Sequence, residues 1–196
     1  MPQVRRPMSR DGGSALDPGG GRDQLVTSDR VHLQRADRVV EEADARHGQA
    51  LLGMAIRSGL TADAAEDAVQ EALLRLWQEL RAGVDILEPR AWLFQTVYRL
   101  AMDQHRVGRR VSELVRRLSE RPWKTLDADA AREISVWQLV DRLPLRQRQV
   151  LYLRYKADMS FDQVAAIMGI GASTARAHAA FATERLRTII DPTWDP

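Results

Sequence analysis

The run LPLRQRQVLYLRYKADMSFDQVAAIMGIGASTARAHAAFATERLRTII, Leu143–Ile190, decides the fold of this chain. Ser160 is a good helix N-cap, and Asp162 puts a negative charge in the first turn, where the helix dipole favours it. Phe161, Val164, Ala165 and Met168 recur at helical spacing and form one apolar face. Gly169 stands where a helix ends, and a second helix starts near Ala172 and runs to about Ile190. Two helices across a tight glycine-containing turn make a helix-turn-helix, whose second helix can enter the DNA major groove. Its first turns carry Ser173, Thr174, Arg176, Ala177 and His178, while Ala175, Ala179, Ala182 and Leu186 lie on the packing side. Ordinary helical domains contain the same shape, so the motif alone leaves DNA binding and plain packing both open. The helix in front starts near Pro144 and mixes Val150, Leu151, Leu153 and Tyr155 with Arg146, Arg148, Arg154 and Lys156.

In order and spacing, this run resembles region 4 of the sigma factors of bacterial RNA polymerase. The resemblance implies that the second helix reads the −35 promoter element through Ser173, Thr174, Arg176, Ala177 and His178. The middle of that helix, Ala179-Ala180-Phe181, is less basic than is common in the family.

Outward from this run, TADAAEDAVQEALLRLWQEL reads as the strongest helix of the chain. Thr61 caps it; Asp63, Glu66 and Asp67 occupy its first turns; Ala65, Val69, Ala72, Leu73, Leu76, Trp77 and Leu80 form its apolar stripe. A helical pattern from Gln34 to Ser58 precedes it and ends at Gly59. After Gly83 and Pro89 comes RAWLFQTVYRLAMDQHRVGRR. Trp92, Leu93, Thr96, Val97, Leu100 and Ala101 give a buried side; Gln95, Arg99, Asp103, Arg106, Arg109 and Arg110 give a wet one. Between Arg99 and Lys124 eight basic residues face three acids. Such a run is usually a solvated face, but beside aromatics it also suits single-stranded nucleic acid.

These two stretches resemble sigma region 2. The resemblance implies a core-polymerase contact through Asp67, Gln70, Glu71 and Arg75. It also implies a −10 contact through Gln95, Arg99, Asp103, Arg106, Arg109 and Arg110. Arg99 stands where the family usually has Asn, and Thr96 where it usually has an aliphatic residue. With these two regions and a short tether, the chain resembles the extracytoplasmic-function (ECF) class.

The expected fold is therefore all-α, with two small helical domains joined by a flexible linker. Residues 1–34, rich in Pro, Gly and alternating Arg and Asp, read as a disordered tail. Residues 35–110 form the region 2-like domain, 111–129 a linker with some helix at its start, and 130–190 the region 4-like domain.

Composition excludes several classes. The chain has 196 residues, no cysteine and a formal net charge of +2. Disulfides and zinc-thiolate sites are ruled out, and the four histidines have no metal-ligand spacing. No apolar run approaches the ~20 residues of a membrane span, so no membrane insertion and a cytoplasmic location are expected. No nucleophile–base pair or phosphate-cradling loop marks a catalytic residue, and no metal or cofactor is expected. The resemblance implies core RNA polymerase and promoter DNA as partners, with an anti-sigma factor as in many relatives. Two other readings stay open: a free-standing helix-turn-helix regulator that does not use core polymerase, and a sigma-like protein that melts DNA poorly.

Overall fold

The computed structural model describes residues 4–5, 21–116 and 136–190, with side chains over 32–104 and 136–190. Among the described residues seven helices follow in order: α1 (Gly21–Arg57), α2 (Ala62–Arg81), α3 (Pro89–Arg116), α4 (Val136–Val140), α5 (Leu145–Leu151), α6 (Phe161–Met168) and α7 (Ala172–Ile190). A π-helical turn, Tyr152–Lys156, extends α5. A two-residue antiparallel pair joins β1 (Val4–Arg5) to β2 (Asp85–Ile86), Val4 opposite Ile86.

The N-terminal half is a bundle of α1, α2 and α3. The α2 stripe packs as its periodicity dictates: Ala65, Val69, Ala72, Leu76 and Leu80 are buried, and the Thr61 hydroxyl accepts from Ala64 N–H at 3.3 Å. Leu51 and Met54 of α1 and Leu93, Phe94 and Val97 of α3 complete the core. At the edge the Trp77 indole donates to Asp37 Oδ1 at 2.8 Å, and Arg81 lies 5.1 Å from the centre of the Trp77 ring. Arg35 bonds Asp85 at 2.7 Å, tying α1 to the α2–α3 connection.

In the C-terminal half α5, α6 and α7 pack around Val150, Leu153, Met159, Val164, Ala175, Ala179 and Ala182. Here the local signals act as read. Ser160 and Gln163 form a reciprocal capping box: Gln163 N–H donates to Ser160 Oγ at 3.2 Å, and Ser160 N–H to Gln163 Oε1 at 2.9 Å. Gly169 ends α6 at φ 65°, a left-handed conformation that glycine adopts without the Cβ clash. The π-helical turn has no such signal; Ala157 N–H reaches back five residues to Tyr152 O.

Two expectations need revision. Helix α1 begins at Gly21, inside the stretch 1–34 read as a disordered tail. Residues 22–34 hold no glycine or proline, so nothing interrupts the helix upstream of the buried Ala36. Residues 1–3 and 6–20 of that tail lie outside the described residues, as do 117–135, which include most of the linker and the start of the 130–190 domain. Helix α3 runs on to Arg116, the helix expected at the linker's start. Gln95, assigned to a wet face, is only 8% exposed. The periodicity of α3 was right for the N-terminal bundle alone, but α6 covers Gln95 from the other half, and its amide donates to Ala166 O at 3.2 Å.

The two halves meet along one seam. Gln149, fully buried, donates through Nε2 to Ser58 Oγ at 3.1 Å. Arg57 lies 5.0 Å from the Tyr152 ring centre, 5.5 Å from that of Trp137, and 3.3 Å from Asp141 Oδ1. Arg146 donates to the Tyr98 hydroxyl, and Arg90 to Ala157 O. Burial pushes the Tyr98 and Tyr152 phenols up from their usual range, against the nearby arginines.

The capping box generates a direct test. Ser160→Ala removes the acceptor for Gln163 N–H and should cost about 1 kcal/mol of stability. Urea unfolding followed by tryptophan fluorescence measures it; Ser160→Asp, which retains a cap, should recover most of the loss.

Candidate nucleic-acid and partner interfaces

Helix α7 is held by its small-residue side. Ala175, Ala179, Ala182 and Leu186 are buried against α5 and α6. The turn through Gly169 therefore leaves Ser173, Thr174, Arg176 and Ala177 exposed and His178 half-buried. The five residues singled out here thus share the free face of the first turns, with His178 at its edge.

Beside them stands a group that sequence reasoning missed. Arg176 Cζ lies 5.7 Å from the centre of the Phe161 ring, and Arg154 Cζ lies 5.5 Å from the same ring and 5.6 Å from that of Tyr155. Arg154 also donates to Met159 O at 3.1 Å. Phe161 had been assigned only to the apolar face of α6. Its position at the first residue of the helix, next to the turn, was the available clue. Two guanidinium groups on one ring concentrate positive charge at the mouth of the motif. Further along α7, Phe181 is 65% exposed, an apolar surface able to touch a thymine methyl.

On α3 the positions 95, 99, 103, 106 and 110 recur every three or four residues and so share one helix face. Arg99 and Asp103 are exposed, whereas Gln95 is covered by α6. Arg106, Arg109 and Arg110 belong to α3, but their side chains lie outside the described ones. Gln95 and Arg99 line a groove of about 690 Å³ with Tyr98, Met102 and Asp103 on one side and Arg146 and the end of α6 on the other. The hydroxyl of Thr96 bonds back to Trp92 O at 2.9 Å, so this departure from an aliphatic residue is satisfied within its own helix.

The third surface is on α2. Asp67, Gln70 and Glu71 line a groove of about 650 Å³ together with Leu74, Leu100 and Gln104. Arg75 turns toward a neighbouring hollow and bonds Glu71 at 2.6 Å. Leu74, 49% exposed, is the residue that sequence reasoning passed over. It sits three residues after Glu71 and seven after Asp67, an apolar side chain on the polar face, and that mismatch was its signal.

Among the described residues no group of three or more His, Asp or Glu could hold a metal ion, and no helix is long and apolar enough to cross a membrane.

Comparison with known proteins adds to this geometry. Residues 45–111 match the family described as Sigma-70 region 2, and residues 139–188 match Sigma-70, region 4. The ECF RNA polymerase sigma factor SigL of Mycobacterium tuberculosis is 32% identical over 148 residues, 72% of this chain and 82% of that protein. The ECF RNA polymerase sigma factor SigD of Mycobacterium bovis is 28% identical over 174 residues, 84% of this chain and 79% of SigD. Among solved structures, the sigma factor RpoE in complex with the anti-sigma factor NepR from Bartonella quintana superposes with a TM-score of 0.59 at 21% identity, over 79% of this chain and 98% of that one. CnrH in complex with the cytosolic domain of CnrY gives 0.55 at 23% identity, over 85% and 99%. At these identities the two structures speak for the fold alone.

The α2 groove makes a prediction about stability. An exposed i,i+4 ion pair is worth about 0.3–0.5 kcal/mol. Asp67→Arg combined with Glu71→Arg should therefore change unfolding free energy by less than about 1 kcal/mol. Leu76→Ala, from the buried stripe of the same helix, should cost about 2–5 kcal/mol. Urea titrations of the two variants check the contrast.

Proposed function

The chain belongs to the sigma-70 family of RNA polymerase sigma factors, in its ECF class, and from that premise we propose how its surfaces divide the work. It directs bacterial RNA polymerase to specific promoters and initiates transcription, with core polymerase and promoter DNA as its partners. The observation that carries this is the presence of both family regions in one chain, with the first turns of α7 exposed. A free-standing regulator would need the helix-turn-helix but would have no use for region 2.

Sigma factors are non-catalytic recognition subunits, and we assign this chain no catalytic residue. Acting on polymerase, it would work in the cytoplasm. Residues 35–110 and 130–190 serve as the two functional domains, with 111–129 as their tether. In the first domain, Asp67, Gln70, Glu71 and Arg75 would dock on core polymerase, with Leu74 as the apolar centre of the patch. Arg99, Asp103, Arg106, Arg109 and Arg110 would hold the −10 strand, without Gln95, which α6 covers. In the second, Ser173, Thr174, Arg176, Ala177 and His178 would read the −35 duplex. RpoE of Bartonella quintana is held by an anti-sigma factor, and we extend that kind of partner to this chain.

Arg176 would bond guanine through its two-pronged guanidinium, the pairing best matched to that base in the major groove. Its stacking on Phe161 limits where the guanidinium can swing, which favours base reading over a loose phosphate contact.

Two tests follow. Asp67→Arg with Glu71→Arg should abolish co-purification with core polymerase; undiminished binding would remove α2 from that interface. Arg176→Ala should cost about 1–3 kcal/mol on the cognate −35 element and relax preference at one base pair. Binding to a panel of single-base variants at two salt concentrations measures this. A uniform loss across the panel, with a shallower salt slope, would make Arg176 a phosphate contact.

A further inference from the structure

The free face of α7 changes character along its length. Its first turns carry Ser173, Thr174 and Arg176, all exposed and all able to hydrogen-bond a base edge. Past Arg176 that ability nearly ends. From Ala177 to Thr183 the side chains able to hydrogen-bond are His178, half-buried at the edge of the face, and Thr183, whose hydroxyl donates to Ala179 O at 2.9 Å. The others are four alanines and Phe181.

Phe181 leaves 65% of its surface in solvent. Thr174, Ala177 and Phe181 are spaced by three and four residues, so they form one stripe, turned away from the buried Ala175, Ala179, Ala182 and Leu186. The stripe consists of a hydroxyl with its methyl, a methyl and a ring, and carries no charge. Cations border it. Arg176 stands on one side, and Arg185, one turn beyond Phe181, on the other; both are exposed.

The DNA major groove has the matching layout. Its walls are phosphates, and its floor offers hydrogen-bonding edges and one apolar feature, the C5-methyl group of thymine. An uncharged stripe between two cations fits that floor between those walls, whereas an apolar protein surface would leave the cations without counter-charge. A phenylalanine ring has no hydrogen-bonding atom, so the methyl is the one base feature it can select. From Thr174 to Phe181 the helix axis advances about 10.5 Å, so the two side chains meet base pairs no more than about three steps apart.

We propose that Phe181 is a specificity-determining residue that reads the C5-methyl group of one thymine in the duplex held by α7. The proposal rests on the reading of α7 as the duplex-facing helix. Beyond the base bonded by Arg176, sequence preference then comes from methyl contact and not from hydrogen bonds, with Ala177 and Ala180 small enough to let the groove floor approach. Removing one methyl from such a contact lowers affinity about fourfold.

Deoxyuridine lacks the methyl of thymidine and pairs with adenine in the same way, so it separates this contact from every other. Holoenzyme assembled from core RNA polymerase and the full-length chain would first select its preferred sequences from duplexes randomised over the −35 element. The parent chain should enrich thymine at one position where Phe181→Ala does not, the other positions being unchanged. Deoxyuridine at that position should weaken binding of the parent holoenzyme about fourfold and leave the Phe181→Ala holoenzyme unaffected. Arg176→Ala should keep the deoxyuridine effect while relaxing a different position. Equal binding of thymidine and deoxyuridine at every position, with Arg176→Ala still relaxing one, overturns the methyl contact alone. Reduced co-purification of Phe181→Ala with core polymerase, its base preferences intact, gives Phe181 to a protein surface and overturns the proposal as well. Unaltered preferences in both variants overturn the reading of α7 on which it stands.

Discussion

The wide turn at Tyr152–Lys156 governs everything that follows it in the chain. A π-helical turn carries one more residue than an α-helical one, so the helix face that enters it differs from the face that leaves. Tyr152 points into the N-terminal half, against Gly53, while Tyr155 is turned to solvent. Leu153 O takes Met159 N–H, and Arg154 reaches Met159 O, so the turn closes on itself. Asp158 sits at φ 47°, the only non-glycine residue with positive φ among those described. Only after this reversal can Ser160 cap α6 at the angle that places α7 across it. The same turn thus seats the C-terminal half on α1 and aims the helix-turn-helix outward.

Arginine is the common material of the seam and of the exposed face beside the first turns of α7. Among 29 Lys+Arg residues only Lys124 and Lys156 are lysines. The choice fits the geometry, since the flat, weakly hydrated guanidinium stacks on rings and tolerates dry surroundings better than an ammonium. Arg57 lies over Trp137 and Tyr152, Arg146 over Tyr98, and Arg154 and Arg176 over Phe161. Burial depresses the Arg148 guanidinium below its usual range, and the nearby Arg57 adds to the effect against the attraction of Asp141. Charge therefore works here by placement. The net value of +2 says little, while a few stacked cations mark both the inner and outer surfaces.

What could be read from the sequence was the local part. Thr61, Ser160 and Gly169 announce helix ends because capping needs only neighbouring residues. The stripes of α2 and α7 were legible because burial on one side imposes a period of 3.6. The exposure of Ser173, Thr174, Arg176 and Ala177 followed from that same period. Gln95 was misread because its covering comes from Ala166, 71 residues away, and no local pattern encodes such a contact. The stacking of Arg154 and Arg176 on Phe161 was equally hidden, since it depends on how α5, α6 and α7 cross. Leu74 could have been found, because an apolar residue on a polar face breaks its own period.

The exposed side chains of Leu74 and Phe181 have a bearing on the life of the free chain. Large apolar groups left in water make a protein prone to self-association and to recognition by quality-control machinery. Any partner that covers them stabilises the folded chain by mass action. Docking through these side chains would tie the supply of usable protein to the number of docking places present. Molecules made in excess would lack that protection, and their faster removal would set a ceiling on how many compete for the same enzyme.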